Sequence, residues 1–151
     1  MKRSPAFSLI ELLIVLGIIT LVFVPALFSL RQSQANQALS ASANEMTQFA
    51  TQAHLFSRTA KNKARWGIAN FNNPTSYSFI YEDPATATLV ETTRVSLPPD
   101  VEIEDPADFQ VLFDKNTGRI SAPVTIRLRS RNNVYYEVVI STVGTVEAHA
   151  L

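Results

Sequence analysis

Phe7-Ser-Leu-Ile-Glu-Leu-Leu-Ile-Val-Leu-Gly-Ile-Ile19 begins an apolar segment near the N-terminus of this 151-residue chain. No charged residue occurs between positions 12 and 30, and an apolar run of this length predicts a helix that crosses a membrane. Its one carboxylate, Glu11, follows four uncharged residues. Because a carboxylate in hydrocarbon costs roughly 2.5–3.5 kcal/mol, this position indicates either a specific partner for Glu11 or a helix-start acid that the helix dipole favours.

The residues before the apolar segment, 1–6, form a short basic leader that ends in a small side chain, Ala6. An ordinary secretory signal is cleaved after its apolar core, whereas here the small residue precedes that core. Lys2 and Arg3 predict, by the positive-inside rule, that the N-terminus stays in the cytoplasm. The chain after Leu30 is then expected on the outer side of the membrane.

The leader and the motif Phe7-Ser-Leu-Ile-Glu-Leu-Leu-Ile-Val-Leu16 resemble the class III signal of type IV prepilins and type II secretion pseudopilins. The resemblance implies that a prepilin peptidase cuts between Ala6 and Phe7 and methylates the new amine of Phe7. It also implies that Glu11 pairs with the N-terminal amine of a neighbouring subunit during assembly. Ala6 departs from the family's usual glycine at this position.

The helical pattern continues beyond the apolar segment, because residues 31–64 contain neither proline nor glycine. Small and apolar residues recur there at steps of three and four, which is typical of one stripe of an amphipathic helix. We expect one helix from about Ser8 to about Lys63, interrupted only at Pro25. Proline removes a helical hydrogen bond and predicts a kink or local melting, although it is also common in ordinary membrane helices.

From Trp66 onward the pattern alternates, which predicts strands. The expected fold is therefore α+β, a pilin fold in which a long N-terminal helix packs on an antiparallel β-sheet domain. We expect a leader (1–6), a membrane and assembly helix (7–30), its amphipathic continuation (31–64) and a globular β domain (65–151). The predicted strands lie at Tyr77–Tyr81, Thr92–Leu97, Val101–Ile103, Phe109–Phe113, residues 124–129, Val134–Thr142 and Val143–Ala148. A turn is predicted at Asp114–Gly118.

The C-terminal half resembles the GspH/FimT-type minor pilins through the spacing of three segments, residues 94–103, 111–118 and 136–144. The implied function is that of a minor pilin or pseudopilin in a type IV pilus-like or type II secretion filament. Its implied partners are prepilin peptidase, other pilins and an assembly platform in the bacterial inner membrane. Because some FimT-type pilins bind DNA during uptake, the alternative is a membrane-anchored DNA receptor that uses Arg119, Arg127, Arg129 and Arg131 to contact phosphates.

Nothing in the sequence indicates an enzyme or a cofactor. The chain has no cysteine, and its thirteen basic and thirteen acidic residues balance, so neither thiol chemistry nor wholesale polyanion binding is expected. His54 and His149 lack metal-ligand partners at helical or hairpin spacing, and His54 is expected at the surface or in an interface. The acidic residues between Asp100 and Asp108 fit a solvated loop better than a cation site.

Overall fold

The computed structural model describes residues 9–151, apart from the side chain of Ala26, and the chain divides into two compact units, residues 1–34 and 35–151. The first unit is helical throughout its described part, as the beginning of helix α1 (Leu9–Arg58). Pro25 lies inside this helix, so the predicted interruption there is wrong. Proline removes a single backbone N–H, and the turns on either side keep their helical geometry. The predicted start at Ser8 lies outside the described residues.

Helix α1 ends at Arg58, five residues before the predicted end at Lys63. Ala60 adopts a left-handed conformation with φ 49°, and a short 3-10 turn, Lys61–Lys63, follows. The chain reverses here because Ser57 binds the next strand: the Trp66 N–H donates to Ser57 Oγ at 2.7 Å. The Trp66 indole N–H also donates to the Lys61 carbonyl at 3.0 Å. Tertiary hydrogen bonds thus end a helix that the local sequence would allow to continue.

The second unit contains eight strands in two antiparallel four-stranded sheets, where the sequence had predicted one sheet domain. Sheet A has the order β3-β2-β1-β5, and sheet B has the order β4-β6-β7-β8. The strands are β1 (Arg65–Ala69), β2 (Ser76–Glu82), β3 (Leu89–Ser96), β4 (Val101–Asp105), β5 (Gln110–Leu112), β6 (Val124–Ser130), β7 (Tyr135–Ile140) and β8 (Val146–Ala150).

The sheets differ from the predicted strands in several places, among them β3, which begins at Leu89 and not at Thr92. No strand was predicted at β1, although an alternating pattern was expected from Trp66 onward; β1 is instead almost wholly buried, because it lies between β2 and β5. Strand β8 begins at Val146 instead of Val143, because the chain first turns: the Ser141 N–H donates to the Thr145 carbonyl at 2.9 Å. The predicted turn at Asp114–Gly118 is present, with Gly118 at φ 68°.

A single core joins the helix residues of the second unit to the inner faces of both sheets. The buried helix face combines two large residues, Leu39 and Met46, with small ones that allow close approach of the backbones. The small members of this face are Ala35, Ser42, Ala43, Ala50, Ala53 and Ser57. The predicted inner positions of sheet B are confirmed at Ile126, Leu128, Val138 and Ile140, which are fully buried. Ala60, which continues the three- and four-residue spacing of this face in the sequence, and the exposed Leu55 are not in this core.

Gly67 lies at the centre of sheet A, opposite Ile80 on β2 and Leu112 on β5. A Cβ atom at this position would overlap the carbonyl oxygen of Val111. Because that oxygen belongs to the backbone of β5, a side chain cannot be accommodated by rotating a neighbouring group. Glycine at this position therefore allows β1 and β5 to pair.

We expect Gly67→Ala to lower the free energy of unfolding by about 2–3 kcal/mol, since β5 must shift away from β1. The control is Gly17→Ala in the first unit, where an added Cβ meets no atom within 4 Å and should leave the melting transition unchanged. Thermal denaturation of the protein in detergent measures both. Equal melting temperatures for the two variants would show that sheet A tolerates a side chain at Gly67.

Candidate processing and assembly site

Glu11 lies in the first turn of α1, and its side chain is exposed. Its neighbours Leu9, Ile10, Leu12 and Leu13 are all more than half exposed. Residues 9–151 offer this carboxylate no ion pair and no hydrogen bond. The acid therefore lies on an exposed apolar helix surface. Ala6 and Phe7, the predicted cleavage position, lie outside the described residues.

The apolar surface around Glu11 extends along the first unit to Leu30, with large side chains exposed throughout. By length and composition, this part of α1 is suited to crossing a membrane. Its one hydroxyl in the central region, Thr20, is satisfied within the helix: Thr20 Oγ1 donates to the Gly17 carbonyl at 2.9 Å and to the Leu16 carbonyl at 3.1 Å. A polar group paired in this way costs little in hydrocarbon.

The arginines of the predicted DNA site are paired with carboxylates on neighbouring strands. Arg127 and Arg129 lie two residues apart on β6, and their partially exposed side chains bind acids on either side. Arg127 contacts Glu137 of β7 at 2.7 Å. Arg129 binds both Glu102 and Glu104 of β4, and the contact with Glu104 is 3.3 Å. These hydrogen bonds raise the pKa of both guanidinium groups further above their ordinary value.

The other members of that set lie outside strand β6. Arg131, in the turn after β6, is 3.4 Å from Asp100 and remains largely exposed. Arg119 lies in the turn before β6 and forms no ion pair with a described residue. The structure thus joins the basic and acidic segments, which are separate in the sequence, through ion pairs between neighbouring strands. The described residues contain no group of acidic, histidine or cysteine side chains that could hold a metal.

His54 is half-buried, and its ring lies against two turns of the β domain. A Cβ at either Gly118 or Gly144 would overlap the imidazole, and the ring of Phe113 is 5.5 Å away, centroid to centroid. Burial, and secondarily the nearby Arg58, lowers the pKa of His54 below its ordinary value. His54 thus helps to join helix α1 to these two turns. In the sequence, Gly118 and Gly144 are the residues that could have indicated this contact, because only glycine leaves room for the ring. His149 is on β8, where its Nε2 is 3.3 Å from Glu147.

A second buried polar group, Tyr77, is fully enclosed between helix and sheet A. Its ring makes an edge-on contact with Phe49, at 6.0 Å between centroids. Burial, and secondarily Glu45, raises the pKa of its hydroxyl above the ordinary value. Tyr77 therefore stays neutral and contributes to packing.

Comparisons with known proteins find a sequence motif and a similar fold. Residues 1–27 match the family model described as the prokaryotic N-terminal methylation motif. The fold is similar to that of the minor pseudopilin EpsH from the type 2 secretion system of Vibrio cholerae, with a TM-score of 0.59 at 12% sequence identity. That likeness covers 74% of this chain and 96% of EpsH. The comparison with curated protein sequences gives no match. The chain therefore combines a prepilin-type N-terminal methylation motif with the α+β fold of a minor pseudopilin.

Proposed function

We propose that this protein is a minor subunit of a type IV pilus-like or type II secretion filament. The observation that carries the proposal is the combination of an N-terminal methylation motif over residues 1–27 with a pseudopilin-like fold behind it. In this proposal the chain is inserted in the bacterial inner membrane by its apolar helix, with the N-terminus in the cytoplasm. Prepilin peptidase removes residues 1–6 and methylates Phe7, and an assembly platform then adds the subunit to other pilins.

The exposed apolar surface of the first unit supports a role in which other subunits eventually cover it. Large side chains from Leu9 to Leu30 are exposed. A lipid bilayer covers such a surface before assembly, and neighbouring apolar helices cover it afterwards. Both environments are free of water, so the same residues serve the membrane state and the filament state.

Within that apolar environment, Glu11 has a specific electrostatic role in the proposal. Cleavage creates an amine at Phe7, and the carboxylate of one subunit pairs with the amine of its neighbour. An unpaired charge among apolar helices is costly, whereas a close pair gains attraction from the low dielectric. A shifted axial position would separate the two charges, so pairing also sets the register between subunits.

The first expected outcome concerns processing. In cells with active prepilin peptidase, mass measurement of the membrane-extracted protein should find a chain that begins at N-methylated Phe7. Ala6→Gly, which introduces the residue most usual in this family, should be cleaved at least as completely. Ala6→Leu should keep its leader, because a bulky side chain replaces the small one at the cut. An intact leader on the unaltered protein in such cells would exclude the proposed filament class.

The second expected outcome concerns Glu11. Glu11→Val should insert into the membrane at least as well as the unaltered protein, since a cost of roughly 2.5–3.5 kcal/mol has been removed. It should nevertheless fail to enter filaments, because the partner amine would be left without its carboxylate. Glu11→Asp, which is one methylene shorter, should be partly impaired. The measurement is co-purification with sheared filaments or with partner pilins.

Glu45→Val is the matched control for Glu11→Val, since Glu45 is an exposed carboxylate on the same helix but outside the apolar segment. It should assemble normally. If Glu11→Val and Glu45→Val assemble equally well, Glu11 acts only as a helix-start acid and the pairing mechanism is wrong.

DNA binding is the second candidate, and the ion pairs of sheet B reduce its support. Phosphate contacts require cationic groups that can give up their present partners, yet Arg127, Arg129 and Arg131 each lie within 3.4 Å of a carboxylate. Carboxylates beside the arginines would also repel a phosphate backbone. Arg119 is the one arginine of the set that the described part of the chain leaves without such a partner.

We therefore expect no specific DNA affinity from the protein in detergent, even at low salt. Fluorescence anisotropy with a labelled duplex, titrated from low to physiological salt, measures this. Binding that falls steeply with salt and is weakened by Arg127→Gln with Arg129→Gln would contradict the expectation. Thr125→Gln, an exposed polar position on the same strand, is the control for that double variant.

A further inference from the structure

Strand β8 forms one edge of sheet B and pairs only with β7. The Leu151 N–H donates to the Tyr135 carbonyl at 3.1 Å, and the Ser141 N–H donates to the Thr145 carbonyl at 2.9 Å. Because hydrogen-bonded and non-hydrogen-bonded pairs alternate along an antiparallel ladder, Glu147 and His149 also direct their backbone groups toward β7. Val146, Ala148 and Ala150 then direct theirs away from the sheet. Within residues 9–151, these outward groups meet no backbone partner.

Of the features that prevent edge strands from pairing with other molecules, β8 has a charged side chain, Glu147, but no proline, lysine or bulge. Natural edges are protected by proline, lysine, a bulge or a covering segment. The residues of β8 are Val-Glu-Ala-His-Ala, and the register of β8 on β7 is regular from Val146 to Ala150. The side chains of Glu147 and His149 lie on the outer face of the sheet, 3.3 Å apart within one chain, while Val146 and Ala148 pack against the core.

We propose that two copies of this chain pair through β8, antiparallel, about a two-fold axis at Ala148. The outward backbone groups allow registers centred on residue 147, 148 or 149, and the side chains of Glu147 and His149 select among them. Centring on Glu147 places two carboxylates opposite each other, and centring on His149 does the same with two imidazoles. Centring on Ala148 places Glu147 of each copy opposite His149 of the other, twice. Opposite charges across a strand pair attract, and like charges repel.

The register centred on Ala148 also uses the whole edge. Val146 of each copy then pairs with Ala150 of the other, and the two Ala148 residues pair with each other, so all three outward residues of both copies are bonded. The result is a self-complementary contact in which the same patch serves both copies. Sheet B becomes one continuous sheet of eight strands, made from four strands of each copy. This interface is independent of the proposed filament role, since it needs neither cleavage at Ala6 nor Glu11.

Cysteine cross-linking tests the register, because the chain contains no native cysteine. Glu147→Cys and His149→Cys are prepared separately as full chains in detergent, mixed and oxidised with diamide. In the proposed pair these positions face each other with Cα atoms about 4.5 Å apart, which a disulfide spans. The mixture should therefore form severalfold more disulfide dimer than either variant alone, where identical positions lie on a longer diagonal. Equal yields in all three samples, or no dimer in the mixture, would overturn the proposal.

Charge exchange tests the energetics independently of cross-linking. At about pH 6, where an ordinary imidazole is mostly protonated, Glu147→His or His149→Glu turns both cross-strand pairs repulsive. Each change should raise the dimer dissociation constant about tenfold, as measured by sedimentation equilibrium of the full chain in detergent. The double variant restores opposite charges, so its constant should return to within about twofold of the original, which also shows that the strand still folds.

Ala148→Pro completes the test by removing an outward N–H while leaving the β7 ladder in place. It should abolish disulfide formation when combined with each cysteine variant. Self-association that is unaffected by Ala148→Pro and by both single charge changes would place the contact elsewhere, such as in the apolar helix, and would overturn the proposal. The proposal would also be overturned if the protein stayed monomeric at every concentration and a different subunit were found paired with β8.

Discussion

The packing of one helical face against two sheets is the interaction on which the second unit depends. The chain has no disulfide, so burial of apolar surface must supply the stability of this unit. Leu39 and Met46 of α1 enter the same core as Ile68 of sheet A and Leu128 of sheet B. Neither sheet could bury its inner face without the other elements. Removing the helix would expose both faces at once, which explains why a single core, and not two, holds this unit together.

The sequence predicted what depends on repeating local patterns. Alternation of Val124, Ile126 and Leu128 with polar residues located β6 and its buried face, and the residues at Asp114–Gly118 located a turn. It failed where distant residues decide the outcome. The end of α1 depends on a hydrogen bond between Ser57 and Trp66, nine positions apart, and β1 is recognisable only from its two neighbours. Likewise, the pairing of Arg129 with Glu102 depends on which strands lie side by side, and local sequence does not specify that order.

The candidate site at Glu11 could be recognised from the sequence for a different reason. Glu11 stood out in the sequence because one acid among apolar residues is costly, and this argument needs no tertiary structure. The structure adds that the neighbouring side chains are exposed. Its proposed partner belongs to another molecule, and no single chain contains that information. The arginines of sheet B differ from Glu11 in this respect. They stand out in the sequence as a basic cluster, but in the structure Arg127 and Arg129 pair with acids on adjacent strands.

The hydrogen bonds at the end of α1 have a mechanical consequence. Small side chains such as Ala43 and Ala50 let the helix lie close to the sheets, but they give shallow ridges that resist sliding weakly. Directed bonds at Ser57 resist it far better: Ser57 Oγ accepts from Trp66, and the Ser57 carbonyl accepts from the Asn116 N–H at 2.9 Å. Tension applied along the helix axis would therefore be carried mainly at its C-terminal end. Traction on the helix would reach the β domain through β1, which contains Trp66, and through the Asp114–Gly118 turn, which contains Asn116.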